Sequence, residues 1–67
     1  MQLLESVADD LAQQVLTLET RSGDETIAAQ VGDAIGTSSP TMQEAFQTAL
    51  RVRRAEARAR TILDKHG

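Results

Sequence analysis

No cysteine, tryptophan or tyrosine occurs in the 67 residues, and phenylalanine, proline and histidine occur once each. The missing cysteines exclude a disulfide scaffold and a cysteine-ligated zinc site. Nucleophile-and-base chemistry has little to draw on, because the lone histidine is His66, one residue from the C-terminus, where chain ends fray. Asp9 and Asp10 are adjacent, so on a helix they point to different sides and converge on neither a proton nor a metal. Gly23, Gly32 and Gly36 make no phosphate loop, since no strand precedes them and no Gly-Lys-Ser or Gly-Lys-Thr follows. We therefore expect no enzyme activity, no cofactor and no metal site.

Long apolar runs are also missing. The longest uncharged stretch of the first helical segment, Leu11 to Leu18, includes two glutamines and is far too short to span a bilayer. The opening Met1-Gln2-Leu3-Leu4-Glu5-Ser6 has neither the basic cluster nor the apolar run of an export signal. The expectation is a soluble, cytoplasmic protein with no membrane partner.

A chain this short buries only about 60% of its unfolded surface, which caps it at one domain, residues 1–67. With one aromatic residue and no covalent staple, its remaining sources of stability are regular helix packing, self-association and a protein partner. We expect one of the last two, most simply a homo-oligomer.

Charge is distributed unevenly. Residues 1–37 carry seven acidic groups against one basic, whereas residues 38–67 carry six basic against three acidic, within a net charge of −3. The divide falls at Gly36-Thr37-Ser38-Ser39-Pro40, so two oppositely charged helical pieces can fold on each other or on a partner.

Three helices follow from the apolar spacing, near residues 2–19, 25–35 and 40–65. In the first, Leu4, Val7, Ala8, Leu11, Val15 and Leu18 recur every three or four residues, and Leu4, Leu11 and Leu18 lie one heptad apart like a short coiled-coil seam. Gly23 supplies the loop. Ser22 and Glu25 stand at capping-box spacing and predict the start of the second helix; Ile27, Val31, Ala34 and Ile35 form its stripe, and Gly36 reads as its stop. Gly32 weakens that helix, so docking must hold it. In the third, Ser39 reads as N-cap and Pro40 as the first helical residue. Met42, Ala45, Phe46, Ala49, Leu50, Val52, Ala57, Ala59 and Leu63 gather on one broad side, and Glu56 to Arg60 is a favourable i,i+4 pair. At about 38 Å against about 26 Å for the first helix, this one should project past the body.

That projecting end is rich in alternating Ala and Arg. Its five arginines can grip carboxylates or phosphates, or simply complement the helix dipole and the acidic first helix.

Val31, Gly32, Ile35, Gly36, Met42 and Ala45 resemble the helix-turn-helix pattern, with Gly32 standing where Ala is usual. The resemblance implies that the start of the third helix enters the DNA major groove, presenting Ser38, Ser39, Gln43, Glu44 and Gln47, with Arg51, Arg53 and Arg54 on phosphates. Net negative charge, and Asp24, Glu25 and Asp33 on the helix that would cross the backbone, argue against nucleic acid as the partner. Pro40, Glu44, Phe46, Gln47 and Leu50 are also similar to the helical hairpins among small subunits and helpers of bacterial type III secretion apparatus; no function follows from those residues.

The expected architecture is all-α: a small three-helix domain whose long first and third helices pack as an antiparallel pair, with a short middle helix at one end. Val15, Ile35, Met42, Phe46 and Leu50 are the expected core. The expected function is a non-enzymatic protein–protein interaction module or a helical subunit of a homo- or hetero-oligomeric assembly. Its interface would use Leu4, Leu11, Leu18, Arg51, Arg54 and Arg58, and a DNA-binding regulator is the alternative.

Overall fold

A computed structural model describes residues 3–67 as three helices, α1 (Leu3–Ser22), α2 (Ile27–Ser38) and α3 (Pro40–His66), with no strand among them. The two long helices form the main packing pair, and the short α2 touches both.

Each connection has a local cause. At the end of α1, Gly23 takes φ +72°, a left-handed conformation that costs glycine little, and its N–H donates to the Glu19 carbonyl at 2.8 Å. Ser22 closes the helix by donating its hydroxyl to the Leu18 carbonyl at 2.8 Å. The expected Ser22–Glu25 capping box therefore does not form, because Ser22 belongs to the last turn of α1. Asp24 organises the loop instead, its Oδ1 accepting from the Thr26 backbone N–H at 2.9 Å and the Thr26 hydroxyl at 2.6 Å. Helix α2 begins after Thr26 as a result.

Gly36 does not stop α2, which continues to Ser38. Its missing side chain serves a different end: a Cβ at Gly36 would lie 2.6 Å from Oε1 of Gln43. The Gln43 amide fills that space and donates to the Gly32 carbonyl at 2.9 Å, tying the start of α3 to the middle of α2.

Ser39 alone separates α2 from α3. Its extended backbone (φ −152°, ψ 97°) makes the corner, its N–H donates to the Ile35 carbonyl, and its Oγ accepts from the Met42 N–H at 3.1 Å, with Pro40 at the first helical position. One residue thus caps two helices, in the way that the Ser39-Pro40 pair predicts for the second.

The fully buried cluster is small: Ala8, Ala12, Val15, Phe46 and Leu50. Leu11, Leu16, Ile27, Ala28, Val31, Ile35, Ala45 and Ala49 pack against it from the edges. Phe46, fully buried, is the largest member, and its ring lies over the flat backbone of Gly32. Val15, Phe46 and Leu50 of the expected core are thus fully buried, Ile35 is half-buried at the margin, and Met42 is half-buried outside the cluster. Alanines hold the centre of α1 because their small side chains let it approach the Phe46 ring closely.

Candidate interaction surface

Two adjacent arginines fix α3 on α1. Arg53 is bidentate to Asp9, with Nε to Oδ1 at 2.9 Å and Nη2 to Oδ2 at 2.7 Å, and its third arm reaches Glu56 Oε1 at 3.2 Å. Glu56 Oε2 in turn accepts from Arg60 Nε at 3.1 Å and Nη2 at 3.0 Å, so Asp9, Arg53, Glu56 and Arg60 form one chain of charge. Arg54 turns the other way, to Glu19 Oε1 at 3.2 Å.

Asp9 and Glu19 are about 15 Å apart along α1, yet neighbouring residues of α3 reach them both. The contact is accordingly concentrated where the helices cross, near Ala12 and Val15. The hydrogen bonds from Arg53 hold the Asp9 carboxyl below its ordinary pKa, and Arg60, then Arg53, do the same for Glu56. The two carboxylates push the Arg53 guanidinium upward. These groups are half-exposed, so the network contributes orientation more than stability.

Beyond this crossing α3 runs on without support. Every residue from Ala57 to Gly67 is exposed, and the molecule measures 43 × 29 × 13 Å, its long dimension close to the length of α3. The free part is not purely polar. Val52 is 61% exposed, Ile62 59% and Leu63 67%. With Ala55 and Ala59, Val52 and Ile62 recur at intervals of three and four residues, and Leu63 lies beside them, drawing a second apolar stripe on the opposite side of α3 from Phe46. At its near end the stripe enters an open groove of about 380 Å³ between the two long helices, lined by Glu5, Asp9, Ala45, Thr48, Ala49 and Val52.

Along one flank of that stripe stand Arg51, Arg58 and Lys65, each seven residues from the next. All three are exposed, and no ion pair forms at any of them among the described residues.

The residues expected to form the interface do not make one patch. Leu11 is half-buried against the core, Leu4 is half-buried, and Leu18 is 48% exposed on a separate shallow groove along α1. Arg54 is engaged by Glu19, whereas Arg51 and Arg58 face solvent. Sequence reasoning passed over Ile62, although its spacing from Val52, Ala55 and Ala59 carried the signal. The α1 partners of Arg53 and Arg54, Asp9 and Glu19, have no local signal, since they lie 44 and 35 residues away.

Half of the residues expected to contact DNA are occupied. Ser39 caps α3, Gln43 spends its amide on Gly32, and Arg53 and Arg54 are held by carboxylates, which leaves Ser38, Glu44, Gln47 and Arg51. Among the described residues, no group of His, Cys, Asp and Glu could hold a metal ion, and no helix is long and apolar enough to cross a membrane. Comparisons with protein-family models, curated proteins and solved structures gave no match.

Proposed function

We propose that this protein is a non-catalytic interaction module, a helical subunit of an assembly, which binds through the outer face of α3. The observation that carries the reading is the apolar stripe of Val52, Ile62 and Leu63, more than half exposed on a helix that outruns its own core. Apolar side chains repeating at helical intervals are the anchors by which one helix seats against another. Surface area supports the same reading. A folded monomer of 7.2 kDa is expected to expose about 4,100 Å², whereas the chain exposes 5066 Å². The excess, about 1,000 Å², is of the order that one partner contributes to a standard protein–protein interface. Duplex DNA is the less favoured partner, because its affinity comes mainly from cations on phosphate and two of the candidate arginines are neutralised within the chain.

The reading is tested by placing a photoreactive amino acid at Ile62 and, as a control, at Glu25, and illuminating cells that express each variant. Position 62 should yield a discrete cross-linked product, of self or of another protein, and position 25 should not. Absence of any product at 62 would sink it.

A further inference from the structure

We infer that the occupant of the α3 stripe is a second copy of this chain, paired α3 against α3 in parallel. The inference rests on the interaction reading above and adds the partner, the register and the direction.

The register follows from the stripe. Taking Val52 and Ala59 as one set of inward positions and Ala55 and Ile62 as the other gives the alternating three–four spacing of a two-stranded coiled coil. The alanines in the middle let the backbones approach, and Val52 and Ile62 anchor the two ends. Phe46 and the body of the domain lie on the far side of α3, so they do not obstruct a partner on this face.

Direction follows from the flanking charges. In this register Arg51, Arg58 and Lys65 occupy one flank, and Ala49, Glu56 and Leu63 the other. An antiparallel pair brings each flank against its own kind, setting Arg58 against Arg58, Arg51 against Lys65 and Glu56 against Glu56 of the second copy. Every one of those contacts is repulsive. A parallel pair brings opposite flanks together, five residues apart in sequence, so that Arg51 of each copy meets Glu56 of the other, and the long stem of Arg58 covers Leu63. Arg51 has no ion pair of its own, and Glu56 is already held in place by Arg53 and Arg60. The excess surface of about 1,000 Å² per chain, set against the roughly 800 Å² that each partner of a standard interface buries, is adequate for such a dimer.

Because the chain has no cysteine, single cysteines report the geometry cleanly. Sedimentation equilibrium over about a hundredfold range of concentration should show a dimer. Under mild oxidation Ala59→Cys should link to itself, and an equal mixture of Ala55→Cys and Ala59→Cys should give mostly the two self-linked products. Arg51→Glu should weaken the dimer about tenfold, and Arg51→Glu with Glu56→Arg should restore it. Circular dichroism of each variant confirms that the helices persist. A mixed 55–59 disulfide as the main product would overturn the parallel pairing. A monomer at every concentration would overturn the second copy as partner while leaving the interaction reading to the photo-cross-link at Ile62, which fails only if that face binds nothing.

Discussion

The side-chain amide of Gln43 occupies the space that a Cβ on Gly36 would need, with Oε1 only 2.6 Å from that position. A glycine and a glutamine on successive helices thus form one interlocked corner, closed by the 2.9 Å bond from Gln43 to the Gly32 carbonyl.

The two helical glycines of α2 should consequently respond in opposite ways to alanine. At Gly32 a Cβ meets only the edge of the Phe46 ring, Cε2 at 3.7 Å and Cδ2 at 3.9 Å, ordinary contacts, so Gly32→Ala should stabilise the fold by about 0.5–1 kcal/mol. Gly36→Ala should show no such gain, because it evicts the Gln43 amide and forfeits a hydrogen bond worth about 1 kcal/mol. In a Gln43→Ala background the same change should stabilise. Urea titrations of the four variants decide it, and equal gains at both glycines in the wild-type background would disprove the interlock.

Phe46 is fully buried and is the only aromatic side chain in the protein. Phe46→Ala should cost about 3–5 kcal/mol, most of the stability of so small a fold. A reversible thermal melt whose midpoint did not move would refute its place at the centre.

Ala12, at 0% exposure, is fully enclosed in the buried cluster. Ala12→Leu should force the long helices apart at a cost of about 1–3 kcal/mol, even though leucine is the more hydrophobic residue. Leu18→Ala, at a half-exposed site, should cost under about 1 kcal/mol. The ranking is checked by denaturant midpoints; Leu18 proving the costlier site would mean that the α1 seam, and not the alanine face, carries the packing.

Acid should loosen the α1–α3 crossing. Asp9 and Glu56 both have folded pKa values below their ordinary ones, so what they contribute is fully present above the unfolded carboxylate range, about pH 4. It is lost as pH falls through the lowered folded values. The melting midpoint should be flat with respect to these groups from pH 7 to about 5 and fall below 4, and Asp9→Asn should shallow that fall. High salt should shrink the effect, since the pairs are half-exposed. An acid limb identical in Asp9→Asn and wild type would remove Asp9 from the explanation.

Much of the fold was legible because it is local. Ser39-Pro40 specifies a helix start by its own chemistry, Gly23 a helix end, and the spacing around Val15, Phe46 and Leu50 names the faces that are buried. What escaped is pairwise and distant. Ser22 was drawn into α1 by a bond to Leu18 that competes with any cap on the next helix. Gly36 looked like a stop because the demand for a bare backbone comes from Gln43, on another helix. Ala12 carried no hydrophobic signal, since its value lies in being small where Phe46 is large. The leucine seam of α1 was clear as a pattern, but pattern alone does not say that Leu11 would be absorbed against the core while Ile62, on the unsupported end of α3, would stay open.

Pro40 has a further consequence. Helices α2 and α3 are interrupted by Ser39 alone, and had that residue adopted helical geometry the two would fuse into one rod of roughly 60 Å. In that form α1 and α2 would no longer close over Phe46 of their own chain and would close over that of a neighbour, the route to domain-swapped aggregates. The proline ring blocks this twice: it disfavours helical dihedrals at Ser39 and would collide with the carbonyl of Gly36 one turn back. Helix content would hardly differ between the rod and the folded corner, so the ring at position 40 acts less as a source of stability than as a choice between two ways of being helical.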